Sequence, residues 1–294
     1  MTSPPSRDPT GTRDFILTFA CRDRVGIVRA ASGFLADRDC NIMDSHQFGD
    51  PDTARFFMRT RFTVTHPEAT LEALRVGFTP IGAAYGMQWQ LYDATVRGRV
   101  LVLVSKLSHC LNDLLYRYRI GALSGDVVAV ASNHPDCETF AAPHGIPYHH
   151  LPVTEQTRAR QESQIMELVR EYRVDLVVLA RYMQILSEDL CQTLAGRAIN
   201  IHHSFLPSFR GGRPYHQAYQ HGVKLIGATA HYVTADLDEG PIIEQDVARV
   251  DHTHTVDELV AIGRDTESQV LARAVSWHLE HRVILNGNKT VVFR

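Results

Sequence analysis

The sequence has no apolar run approaching the roughly 18 residues that a membrane-spanning helix needs, and its first residues lack the apolar core of a secretory signal. Nor is one charge in surplus: 30 basic residues against 33 acidic ones leave a formal net charge of −3. So balanced a chain presents no global basic field, and neither nucleic acid nor a membrane surface is expected as a partner. Its 5 cysteines, at positions 21, 40, 110, 137 and 191, are odd in number and include no CxxC pair. That excludes the disulfide framework of a small secreted domain and leads us to expect free thiols in a reducing cytoplasm. There is no G-x-S-x-G elbow and no cysteine in a nucleophile signature, which points to direct attack by water or an amine. What is present is the composition of a globular chain, 44% hydrophobic and 21% charged, with 294 residues, enough for two domains. Histidine is abundant, 16 in all, with two before residue 93 and fourteen after it.

Residues 1–13, MTSPPSRDPTGTR, have nothing to bury and read as a disordered lead-in. Residues 14–94 then spell one pattern. Strands are expected at Asp14–Cys21, Asn41–Phe48, Arg55–Val64 and Met87–Tyr92. A helix over Val25–Arg38 would bury Val25, Val28, Ala31 and Leu35, and a second covers Pro67–Ala84 with Pro80 near its end or kinking it. The order β-α-β-β-α-β is ferredoxin-like: an antiparallel sheet covered on one face by two helices.

From residue 95 to 294 the grammar changes. Short unbroken apolar runs at Val100–Val104, Val127–Ser132 and Leu176–Ala180 alternate with helical stretches such as Asn112–Tyr118 and Thr157–Tyr172. This predicts an α/β domain of Rossmann-like, doubly wound type with a mostly parallel sheet, its site lying beyond the C-terminal strand ends. Ile226–Val233 and Ile242–Val250 read as a last strand pair, and Val256–His281 as a closing helix.

Three segments of this domain place polar groups at strand ends. In AINIHHSFLP, Asn200 and His202 are two apart, so a strand points both to one face. In GATAHYVTADLD, a strand carrying His231 runs into a loop with Asp236 and Asp238. Asp238-Glu239-Gly240-Pro241 then makes a tight turn that fixes a carboxylate. An amide donor, an imidazole and a carboxylate form a set suited to acyl transfer. The first two steady an oxyanion, while the third holds the imidazolium and takes a proton from the nucleophile.

Asn200-Ile201-His202, SFLPSF and HYVTADLDEGPII, in that order, resemble the folate-dependent formyltransferase family. The resemblance spans about residues 98–280 and implies that Asn200, His202 and Asp238 are catalytic, with Asp238 as the base. It further implies that Met183, Gln184, Ile185 and Leu186 of ARYMQILS line a pteridine pocket, and that Gly240 contacts substrate. Members acting on a ribonucleotide carry a Gly-Ser-rich phosphate loop after the first strand, whereas Val104–Asp113 here has no glycine. Together with an N-terminal unit that resembles an ACT domain, this favours the family's hydrolytic branch. The implied reaction splits 10-formyltetrahydrofolate into formate and tetrahydrofolate, with the formate feeding purine synthesis. The implied protein uses no metal, has no cofactor beyond the folate substrate, and assembles as a homo-oligomer, a dimer or tetramer. The alternatives are formyl transfer to an amine such as glycinamide ribonucleotide, and an inactive folate or amino-acid sensor.

The ACT resemblance also brings a candidate amino-acid effector, glycine or methionine, at Asp23, Gly26, Ile27 and Asn41. The competing structural reading is that Asp23 caps a helix. His203 and His231 either touch the catalytic site or pack behind it. His149-His150 and His252-x-His254 have metal-like spacing but no clear Cys or Glu cluster to complete a site. Cys110 is expected to be a small buried thiol. The loop Phe209–His216 either closes over the glutamyl tail of folate or is simply solvated.

Overall fold

The structure, a computed structural model, describes residues 12–66, 69–206 and 214–294. It forms two compact units: one holds the residues up to Arg97 with Glu280–Asn286 and Val291–Arg294, the other Gly98–Leu279 with Gly287–Thr290.

In the first unit, β1 (Arg13–Arg22), α1 (Ile27–Ala36), β2 (Asn41–Asp50), β3 (Arg55–Val64), α2 (Leu71–Tyr85) and β4 (Gln88–Asp93) follow the expected order. The sheet order is β2-β3-β1-β4, antiparallel throughout. Phe15, Leu17, Phe19 and Cys21 pack with Phe34, Leu35 and Phe78 of the helices. On the other face Ala20 and Phe57 cluster with Phe293, and this two-sided burial explains why β1 is unbroken apolar sequence rather than alternating. The second domain was expected to run through residue 294. The last residues return to the first unit instead, because this second face needs a cover. A buried guanidinium fastens them: Arg59 donates from Nε and Nη2 to the Glu280 carbonyl at 3.3 and 3.0 Å, and from Nη1 to Asp44 at 3.0 Å.

The phase of α1 differs from expectation. Gly26 has a left-handed φ of 96°, so the helix starts only at Ile27. Its buried stripe is therefore Ile27, Ala31, Phe34 and Leu35, while Val25 and Val28 are exposed. Helix α2 begins at Leu71 behind the Thr70 cap, whose Oγ1 accepts from the Ala73 N–H at 3.1 Å, and it contains Pro80. Pro67, expected to open that helix, lies outside the described residues, as does most of the lead-in; Arg13 already belongs to β1.

The second unit runs β5 (Gly98–Val104), α3 (His109–Arg119), β6 (Gly125–Ser132), α4 (Glu138–Ala141), β7 (Tyr148–His150), α5 (Arg158–Glu171), β8 (Leu176–Leu179) and α6 (Glu188–Thr193). It continues through β9 (Ala198–His202), α7 (Pro214–Gln220), β10 (Leu225–Tyr232), β11 (Ile242–Arg249) and α8 (Val256–Leu279). The sheet order is β11-β10-β9-β8-β5-β6-β7. Strands β9, β8, β5, β6 and β7 of that order are parallel, and β10 is antiparallel to both β9 and β11. From β5 the chain goes to one side through β6 and to the other through β8, the divergence at which α/β sheets open a crevice. Among the described residues, no helix is long and apolar enough to cross a membrane.

Two helical glycines separate packing from propensity. A Cβ at Gly82 would lie 2.3 Å from the Trp89 indole nitrogen, whereas one at Gly33 meets nothing within 4 Å. Gly82→Ala is expected to cost about 1–3 kcal/mol through overpacking. Gly33→Ala should gain roughly 0.5–1 kcal/mol from helix propensity. Denaturant unfolding of the two variants checks the contrast.

Candidate functional site

The site grows from one pair of neighbouring strands. Period-2 alternation on β9 turns Asn200 and His202 to one face, and the antiparallel register sets His231 of β10 opposite Asn200. The loop leaving β10 then folds back over that face. Its Asp238 takes a left-handed φ of 59°, unusual without glycine, and puts its carboxylate between the two rings. Oδ2 lies 3.2 Å from Nδ1 of His202 and Oδ1 3.6 Å from Nε2 of His231.

Partners orient both rings. Nδ1 of His231 lies 2.9 Å from the Tyr232 carbonyl, which only accepts, so that nitrogen carries the hydrogen. Its Nε2 lies 3.3 Å from the Asn200 amide nitrogen and 3.6 Å from Asp238 Oδ1. His202 points Nδ1–H at Asp238, and its Nε2 is buried without a hydrogen-bond partner among the described residues. Hydrogen bonds from His202 and His231, against the effect of burial, hold the Asp238 carboxyl well below the usual carboxylate range. The His203 ring lies tilted beside that of His202, ring centroids 4.8 Å apart. Burial, then the charges of Arg181 and His202, push its imidazole down to about 4, so it stays neutral at pH 7.

These groups form one wall of a cavity of about 340 Å³ beyond the ends of β8 and β9. Met183, Gln184, Ile185 and Leu186 line the same cavity, as do Val233 and Leu237. Met183 and Ile185 are exposed, apolar side chains left uncovered toward the cavity. Their loop is pinned at both ends. Ser105 Oγ accepts from the Met183 N–H at 3.0 Å, and Glu162 accepts from both the backbone N–H and the hydroxyl of Ser187.

Not every expected residue is in place. Gly240 does not line the cavity. It packs beneath the site, where a Cβ would come 1.7 Å from the Tyr232 carbonyl oxygen, so only glycine lets the Asp238 turn close. The four effector residues do not converge. Asn41 pairs through Thr63 with Asp14 at the start of β1, whereas Asp23 follows the far end of that strand. Nine residues of strand separate the two ends, on the order of 30 Å. Ile27 is core at 2% exposure, and Gly26, not Asp23, precedes α1 with no side-chain cap.

His254 bonds Asp251 in an exposed turn and His149 bonds Tyr172. Among the described residues, the one close group of three metal-type donors is instead His109, Cys110 and Glu267. Residues 209–213 of the Phe209–His216 loop lie outside the described residues, and 214–216 open α7. Sequence reasoning missed Arg181 on the cavity wall and the buried Glu267 behind it. Glu267 had a signal: it falls four residues after Gly263 and four before Leu271, on the buried stripe of α8.

Both units of the chain match known protein families. The family described as "Formyl transferase" matches residues 98–275, and the ACT domain family matches 15–76. The chain is 49% identical to a formyltetrahydrofolate deformylase of Corynebacterium sp. (strain P-1), over 95% of this chain and 98% of that protein. A crystal structure of a formyltetrahydrofolate deformylase from Burkholderia mallei superposes with a TM-score of 0.91 at 50% identity, covering 96% of this chain and all of that one. The glycinamide ribonucleotide transformylase 1 of Symbiobacterium toebii gives 0.63 at 31% identity and covers 67% of this chain and 95% of its own.

The contact at Gly240 makes a test of the site's geometry. Gly240→Ala is expected to displace the turn and unpair Asp238 from both histidines. Ring-proton NMR resonances of His202 and His231 read this directly, and unshifted resonances would show that the turn tolerates a side chain.

Proposed function

The chain belongs to the formyltetrahydrofolate deformylase family, hydrolases that cleave a formamide-type C–N bond, and we propose that its cavity takes 10-formyltetrahydrofolate and yields formate and tetrahydrofolate. The observation that carries this reading is the convergence of Asn200, His202 and Asp238 on one wall of a cavity whose other lining is the apolar Met183–Leu186 loop. A flat, largely apolar ring system suits that lining, with the formyl group toward the polar wall.

Water adds to the formyl carbon, and the carbonyl oxygen becomes an oxyanion facing the Asn200 amide and the His202 ring. Asp238 by itself is a poor proton acceptor, because two imidazoles already stabilise its charge. The proton released by water therefore passes to the hydrogen-bonded Asp238–His202 pair. The same pair returns it to N10 as the C–N bond breaks, so the elements of water end on formate and on the amine. The catalytic and binding roles of these residues are the core of the proposal. On this reading folate and water suffice, the five thiols stay reduced in the cytoplasm, and the protein is a homo-oligomer. Exposed Ile42, Met43 and Phe48 on the edge strand β2 support the last point.

Formate release from 10-formyltetrahydrofolate with no amine added is the expected result. Dependence on an added amine would instead favour transfer, and folate binding without formate would favour a sensor. Asn200→Ala and Asp238→Asn should each lower turnover by about a hundred- to a thousandfold. Near-normal turnover by folded Asp238→Asn would overturn the assignment.

A further inference from the structure

A second carboxylate lies behind the catalytic wall, with no part in the steps above. Glu267, in the middle of α8, is 1% exposed yet charged. Its Oε2 accepts from His109 Nε2 at 2.7 Å and stands 3.4 Å from Nε of Arg181, while Oε1 accepts from the Tyr215 hydroxyl at 2.6 Å. These partners come from three separate segments: the first turn of α3, the residue leading into the Met183–Leu186 loop, and α7. The seat is built to shape, since a Cβ at Gly263, one turn before Glu267, would lie 2.1 Å from the Tyr215 oxygen.

Arg181 is the link to the reaction. It lines the catalytic cavity and takes a left-handed φ of 62°, with its carbonyl accepting from the Ser105 N–H at 3.3 Å. A non-glycine residue stays in that conformation only when its surroundings over-determine it. We infer that Glu267 is a positioning residue for the hydrolysis, holding Arg181 against the catalytic wall and balancing the positive charge that His203 faces.

The cluster is neutralised by its own side chains. Burial pushes the Glu267 carboxyl up, but the His109 hydrogen bond, the Arg181 charge and the Tyr215 hydrogen bond outweigh it, so it stays ionised. Burial, with Glu267 adding, holds the Tyr215 phenol far above its ordinary value and so keeps it a donor. Cys110 lies within ligand reach of His109 and Glu267, but burial and the Glu267 charge keep its thiol protonated. Arg181 already supplies the compensating charge. The charged and titratable groups acting on His203 are Arg181, His202, Glu267 and Asp238. Removing the Glu267 charge therefore leaves Arg181 unbalanced beside that ring.

The inference rests on the hydrolase reading, and a charge cycle tests it. In Glu267→Gln the pH profile of kcat/KM is expected to move about one unit toward acid, because an uncompensated cation lowers its neighbours' proton affinity. Arg181→Gln should move it toward alkali, and the double variant should fall back near wild type. A purely structural role predicts lost amplitude with an unmoved profile in both singles and a worse double. NMR titration of the His203 ring gives the same signs without turnover: lower than about 4 in Glu267→Gln, higher in Arg181→Gln. If wild type releases no formate, the hydrolase reading fails while the titration still judges the inference. Should Glu267→Gln not fold, Arg181→Gln decides, and an unmoved profile with an unmoved His203 overturns it.

Discussion

Everything at the polar wall of the cavity hangs on where one carboxylate is held. Asp238 sits between two imidazoles from adjacent antiparallel strands, and it reaches them only because its backbone turns left-handed over Gly240. Non-glycine backbone of that kind costs of order 1–3 kcal/mol. Hydrogen bonds to a charged group contribute about 1.5–3 kcal/mol each, enough to offset the strain. Fixing the carboxylate also fixes the His202 ring, and with it the side of the cavity that carries charge.

The surrounding fold divides the labour accordingly. The parallel part of the sheet supplies buried core, and it sets the ends of β5 and β8 side by side. The antiparallel strand β10 sets His231 directly opposite Asn200 of β9. Around this, loops that would otherwise be loose are tied to buried polar groups. Ser105 holds one end of the Met183–Leu186 loop and Glu162 the other, so exposed apolar side chains sit on a fixed support.

Much of this was legible in the sequence, for reasons that can be named. Unbroken apolar runs gave away the buried strands, and period-2 spacing gave the shared face of Asn200 and His202. The choice of Asp238 over Asp236 was not a matter of pattern; it came with the family resemblance. Helix α1 was read out of phase because a glycine at positive φ resets the start of a helix without leaving a mark on its hydrophobic spacing. Asp23 and Asn41 came together through the ACT resemblance, one expected at a helix N-terminus and the other on the following strand, and only strand register shows that they occupy opposite ends of a sheet. Glu267 stayed hidden because its partners at 109, 181 and 215 are distant in sequence and belong to no local motif.

The return of the last residues to the first unit bears on the order of synthesis. Arg59 and the Glu280 carbonyl it binds are separated by 221 residues. At the usual pace of translation, about 5–20 residues per second, Arg59 emerges from the ribosome tens of seconds before its acceptor exists. Throughout that interval the sheet face bearing Ala20 and Phe57 lacks Phe293. The unit that is made first is therefore finished last, and the growing chain must carry a half-covered apolar sheet while the entire catalytic unit is being added.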